Sequence, residues 1–236
     1  MKALRVLIIL ILVFEGLYVA AQPVFGVELK TGYANFSMKE LRSTIQSYED
    51  SNRGYNGGSL KITNNYPGFI TFGMRMFVGF KKWDVGMDYT RYSTGARVQY
   101  KDYSGEVGYD QIAIANTIGI FGRHSVFKTN KFHLKAGLLV SAYFSNVTAN
   151  NYYRTNTTDD DDKINTSSVS LAITPTIEPA YYFTNQFYAG VNLGYCIDNS
   201  GTLHDWYGQN FLGGYPAIHS QWSGFRSELF LGFKMK

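Results

Sequence analysis

The sequence holds one cysteine, Cys196, in 236 residues, so no internal disulfide can form and a small disulfide-stapled exoprotein is excluded. Charged residues make up 17% of the chain, scattered and mixed in sign with a net charge of +4, which leaves no electrostatic footprint for a nucleic-acid partner. Beyond the first residues no apolar run approaches the ~20 residues that carry a helix across a bilayer. Prolines number only five and aliphatic runs are short, whereas tyrosine (19), phenylalanine (17) and glycine (24) are abundant. That balance favours strands over helices.

Residues 1–21 read as an export signal: a basic start, an apolar stretch from Val6 to Phe14 and a small-residue exit at Val19 and Ala21. The stretch is nine residues before Glu15 interrupts it, which argues against the alternative of a membrane anchor. Cleavage near Ala21 leaves Gln22 as the new amino terminus, with no cysteine there for a lipid anchor. The remaining segment, 22–236, suits one domain.

Along that segment apolar residues alternate with small or polar ones, the period of a strand with one oily face. Strand one sets Val27, Leu29, Thr31 and Tyr33 against Glu28, Lys30, Gly32 and Ala34. Strand two, Phe69 to Phe80, sets Ile70, Phe72, Met74, Met76 and Val78 against Thr71, Gly73, Arg75 and Phe77. Strand three follows a tight Lys81-Lys82 turn and sets Trp83, Val85, Met87 and Tyr89 against Asp84, Asp88 and Thr90. Strand four carries Ile112, Ile114, Ile118 and Ile120, with Asn116 a polar exception on that face. Strand five runs from Phe132 to Phe144, with Leu139 inward, and strand six carries Val169, Leu171, Ile173 and Ile177. Pro175 and Pro179 remove ladder donors from strand six, so a bulge or bend is expected there. Strand seven carries Phe187, Val191, Leu193 and Ile197, and strand eight Leu229, Leu231, Phe233 and Met235.

Connections between these segments alternate in length. Long ones are expected near 38–67, 93–109, 145–168 and 198–219, and short ones at 81–82, 122–131 and 184–186. The pattern predicts an all-β, antiparallel, up-and-down transmembrane β-barrel of about eight strands, with long extracellular loops and short periplasmic turns. Phe80, Trp83, Phe132, Phe183, Phe187 and Phe233 fall near the short turns, where a membrane-interface girdle belongs. A soluble barrel also alternates, but it would place the face bearing charge in nearly every strand in water and the oily face inside.

The inward parity holds Glu28, Asp84, Asp88, Glu178 and Glu228 with Lys30, Arg75, Lys135, Arg226 and Lys234. Charges removed from water are costly unless paired, so this set predicts an internal salt-bridge network filling a narrow lumen. In the first loop, Ser37 and Glu40 have capping-box spacing, and Met38, Leu41, Ile45 and Tyr48 follow helical spacing, predicting a short amphipathic helix over the barrel mouth. Asp159 to Asp162 form an acidic run in the third loop, without the spacing and glycine of a calcium loop. His133 and Cys196 are inward by parity, and both read as structural. No metal, cofactor or catalytic residue is expected.

Together the signal, eight alternating segments, loop asymmetry and final LFLGFKMK strand resemble the small OmpA/OmpX/OmpW-type outer-membrane barrels, and more closely barrels of Bacteroidota, over Phe25 to Lys236. The resemblance implies a monomer in the bacterial outer membrane, in contact with its lipid and with an extracellular or envelope protein partner. Lipid A deacylase barrels, similar in architecture, place a histidine and a serine two apart. Here His124-Ser125 and His219-Ser220 are adjacent, so in a strand each pair points to opposite faces. The leading expectation is a non-enzymatic structural or surface-binding barrel. A narrow channel or apolar-ligand conduit is the second reading, and a lipid-modifying enzyme the third.

Overall fold

The computed structural model describes residues 23–51, 60–103, 105–155, 159–205 and 217–235, and the export segment 1–21 lies outside them. In chain order the elements are β1 (Val24–Ala34), α1 (Lys39–Ser51), β2 (Lys61–Asn65), β3 (Phe69–Phe80), β4 (Trp83–Lys101), β5 (Gly105–Lys128) and β6 (Phe132–Thr155). They continue with β7 (Asp159–Tyr182), β8 (Phe187–Asp198), β9 (Gly201–Thr202), β10 (His204–Asp205), β11 (His219–Ser220) and β12 (Gly224–Met235).

The fold is predominantly antiparallel sheet. Each long strand has two long neighbours: β3 through β8 pair in sequence, and β12 pairs with β8 and β1, which in turn pairs with β3. A walk across partners runs from Val24 through Gly79, Asp84, Arg123, Gly137, Thr176, Gly194 and Arg226 to Ala34, ten residues further along β1. With strands ~4.8 Å apart and ~3.3 Å per residue, that stagger corresponds to strands inclined by about 40°.

Burial is inverted relative to a sheet in water. Leu29 is 63% exposed and Ile120 66%, while Glu28 is 0% and Arg123 1% exposed. The apolar parity thus faces outward on every long strand and the polar parity is enclosed. One outer polar residue, Asn116, is half-buried and accepts a hydrogen bond from the Tyr89 hydroxyl at 3.0 Å.

Short reversals fall at one end of the sheet. Lys81 adopts a left-handed φ of 51° in the two-residue turn between β3 and β4. At the opposite end, the expected loops at 93–109 and 145–168 are largely strand: β4 pairs with β5 out to Lys101↔Glu106, and β6 with β7 out to Arg154↔Asp159. The outer side chains there become polar (Asn146, Thr148, Asn165, Ser167), so hydrophobic alternation ends although backbone pairing continues. Asp159 to Asp162 therefore belong to β7 rather than to a loop. The connection expected at 122–131 is likewise strand as far as Lys128, with a register shift between Ser125 and Phe127.

Pro175 and Pro179 cause no bulge. Register between β7 and β8 is unshifted from Ala172↔Asp198 to Tyr182↔Tyr188, and the ladder simply omits residues 174–175 and 178–179. The missing proline N–H groups cost rungs on that side alone, since pairing with β6 runs through both positions.

The enclosed face has two apolar clusters. Phe77, Phe121, Leu139, Tyr182, Tyr188 and Phe230 interleave with charged side chains, and glycines make room for them. A Cβ on Gly26 or Gly232 would lie 2.2 Å from the Phe77 or Tyr188 ring. Toward the long hairpins, Met38, Leu41 and Ile45 of the first connection pack with Tyr92, Val98, Tyr143 and Trp222. The amphipathic helix thus forms where its spacing predicts and covers the enclosed face.

Candidate functional site

Period two brings charge from almost every strand into one enclosed cluster. Arg123 on β5 is its centre. Its Nη1 and Nη2 donate to Glu28 on β1 at 3.0 and 2.7 Å, Nη1 also to Glu178 on β7 at 2.7 Å, and Nε to Asp84 on β4 at 3.0 Å. Arg75 on β3 donates to Asp88 and Glu178, both at 2.7 Å. Lys30 contacts Asp88 at 2.6 Å and Glu228 on β12 at 3.3 Å, and Lys135 on β6 donates to Asp84 at 2.6 Å. From β8, Tyr188 donates to Glu28 at 2.6 Å and Asn192 to Glu228 at 2.8 Å. All eight long strands contribute.

Five carboxylates thus meet four enclosed cations, with Lys234 half-buried at the edge donating to the Tyr182 hydroxyl at 2.8 Å. Arg123 also lies over the Phe77 ring at 4.6 Å, and Lys234 over Tyr182 at 4.9 Å. Desolvation of so many charges is costly, and only near-complete pairing offsets it. Arg226, expected in this network, lies outside it. Its guanidinium donates to the carbonyls of Asn35, Phe225 and Trp222 and stacks over Phe36 and Tyr92 at 5.1 and 5.0 Å. Arg123, the hub, falls in the short connection expected at 122–131, which is strand here. The parity of Thr117 and Gly119, extended two positions past Phe121, identifies it.

Above this cluster the first connection is fastened down. Arg42 donates to the carbonyls of Phe36, Ser37, Asn65 and Tyr66 at 3.2, 2.9, 2.5 and 2.7 Å, tying both ends of the segment to α1. The Tyr66 hydroxyl donates to Gln111, and burial raises its pKa above the usual phenol value, keeping the proton on the donor. The expected capping box is not formed. Ser37 N–H and Met38 N–H donate to the carbonyls of Ser223 and Gln221, and Glu40 instead accepts from His219 N–H at 2.7 Å and meets its Nδ1 at 2.9 Å. Arg42→Ala should release the cap at a cost of about 1–3 kcal/mol, because four carbonyls lose a charged donor. Hydrogen exchange of the β2 amides should accelerate while that of β6 stays unchanged.

The other expected residues are accounted for individually. Trp83, Phe132, Phe183 and Phe187 are exposed, and Phe80 and Phe233 half-buried, all at the short-turn end. His133 is buried with its ring 4.1 Å from that of Tyr182, and Cys196 is buried against the Tyr143 hydroxyl at 3.3 Å. His124 lies beside Trp83, and Ser220 pairs with Ser168 at 2.8 Å. Among the described residues there is no cluster of metal-ligating side chains, and no helix is long and apolar enough to cross a membrane.

Beyond the apolar band the β4–β5 and β6–β7 hairpins project with outer ion pairs: Arg97 with Asp110 at 2.6 Å, Lys101 with Glu106 at 3.2 Å and Arg154 with Asp159 at 3.3 Å. Tyr103 at the first tip is almost fully exposed.

No family model and no curated protein matches the chain. Among solved structures, the outer membrane protein OprG from Pseudomonas aeruginosa is similar at 13% identity and a TM-score of 0.43, covering 92% of this chain and 96% of that one. The attachment invasion locus protein Ail of Yersinia pestis is similar at 9% identity and 0.37, covering 91% and 99%. The outer membrane protease OmpT from Escherichia coli is similar at 10% identity and 0.36, covering 92% and 98%. The mostly-β fold resembles outer-membrane proteins, and likeness at this level carries no activity across.

Proposed function

We propose that the chain is a closed eight-stranded β-barrel spanning a bacterial outer membrane, non-catalytic and plugged, that presents its two long hairpins to an extracellular or envelope protein. The inverted burial carries this reading: an oily face without hydrated neighbours is stable only in lipid, and a charged face that is enclosed must be a lumen. Support comes from the ten-residue stagger, which matches the tilt that closes eight strands. The aromatic side chains at the short turns then form the periplasmic interface girdle. A lumen crossed by ion pairs and hydrogen bonds from all eight long strands, and capped by α1, supports a plug rather than a pore.

In planar bilayers the protein should therefore give no reproducible conductance steps. Regular steps would replace the plug with a channel. A photo-crosslinking residue at Tyr103, on intact cells, should capture protein, and capture of lipid alone at that position would remove the surface-binding role.

A further inference from the structure

We propose that Arg91 and Asn116, with the apolar furrow beside them, bind a phosphorylated acyl lipid of the surrounding membrane, its phosphate on the two side chains and one acyl chain in the furrow. The inference rests on the membrane-spanning reading above. Asn116 is the polar residue that interrupts the outer face of β5, and it stands directly opposite Arg91 on β4. Because its Oδ1 accepts from Tyr89, its amide is held in place, and its Nδ2 group is a donor with no partner among the described residues.

The Arg91 side chain is exposed and makes no hydrogen bond or ion pair with another side chain or carbonyl among the described residues. That distinguishes it from Arg97, Lys101 and Arg154, each of which has a carboxylate on the same wall. Arg91 and Asn116 together present donors and one unneutralised positive charge. A guanidinium fork beside an amide suits phosphate oxygens better than any neutral headgroup.

The furrow lies on the same row of the sheet. Leu229, Thr31, Phe72 and Arg91 are successive cross-strand partners on β12, β1, β3 and β4. Thr31 is the short member of that row and turns its hydroxyl onto the Thr71 carbonyl at 3.0 Å, away from the surface. Between Leu29, Phe72, Leu229 and Leu231 this leaves a furrow of about 530 Å³. Phe72 forms the wall of the furrow on the Arg91 side, and the strand stagger raises each row by about 3 Å per strand toward the long hairpins, so Arg91, two strands from Thr31, stands about 6 Å above the furrow floor. A chain lying in it ends with its headgroup at the arginine, at the level where the outer face of β4 turns from Tyr89 to Ser93.

The test uses the protein refolded in phosphatidylcholine nanodiscs doped with diphosphoryl lipid A or with its dephosphorylated counterpart carrying the same acyl chains. Native mass spectrometry after mild detergent release reads the lipid retained. The phosphorylated form should be retained selectively, and Arg91→Gln and Asn116→Leu should each lower retention about fivefold or more. Thr31→Phe, which fills the furrow, should lower it with both donors intact. Equal retention of the two lipids, or retention unchanged in Arg91→Gln, overturns the site. Folding is followed in parallel by protease protection: a protein that fails to insert counts against the membrane reading, and one that inserts without selecting phosphate counts against this site alone.

Discussion

Arg123→Met is expected to destabilise the folded protein by about 3–5 kcal/mol, read as a lower urea midpoint in phospholipid vesicles. Arg123 is 1% exposed and serves Glu28, Glu178 and Asp84 at once. The methionine fills similar volume, so the loss is electrostatic rather than a cavity. Glu178 retains Arg75 at 2.7 Å and Asp84 retains Lys135 at 2.6 Å. Glu28 is left with only the 3.8 Å contact to Arg75 and the Tyr188 hydroxyl, an enclosed carboxylate with no close cation. The companion substitution Glu28→Gln should then recover more than half of the loss, because the remaining charges pair among themselves. Arg123→Lys should fall between, keeping the charge but losing the two-pronged contact to Glu28. A midpoint shift equivalent to less than about 1 kcal/mol in Arg123→Met would mean that the enclosed charges are solvated by water inside the protein rather than by each other.

The weight placed on Arg123 shows what the amino-acid pattern discloses and what it hides. Parity alone identifies the oily face of all eight long strands, because the exposed and the enclosed side of the sheet impose opposite demands on successive residues. It fails where one demand lapses. Past Phe144 and Val169 the outer residues turn polar, the enclosed ones still pack, and a strand there reads as a polar loop. At the other end, Gly122 interrupts the outer alternation of β5 and makes the strand look finished one residue before its most important side chain. Pro175 and Pro179 mislead differently. Their missing donors face only β8, so the backbone tolerates gaps in one ladder without bending. The charges were legible as a set, but the hub was not, since pairing depends on which strands oppose one another and a single chain of alternating residues does not specify that. Arg226 has the right parity and the wrong neighbours, its surroundings being the carbonyls of Asn35 and Trp222 rather than carboxylates.

Ile120→Arg should be the sharpest test of where the oily face points. Ile120 is 66% exposed and lies between the exposed side chains of Met87 and Val140, its partners on β4 and β5's other neighbour β6. In water, replacing so exposed an isoleucine with arginine removes apolar surface from solvent and should change stability by no more than about 0.5 kcal/mol. Near the centre of a bilayer, the same guanidinium must be drawn into hydrocarbon or reach for a headgroup, at a cost of about 2–4 kcal/mol. The two environments therefore predict different magnitudes for one substitution. Asn146→Arg supplies the control, since Asn146 lies on the outer parity of β6, beyond Phe144, where the hairpin has left the apolar band. Urea unfolding in vesicles should show a clear loss for Ile120→Arg and almost none for Asn146→Arg. Equal small effects at both positions would put the isoleucines in water, and the enclosed ion pairs would then be the core of a protein that never enters a membrane.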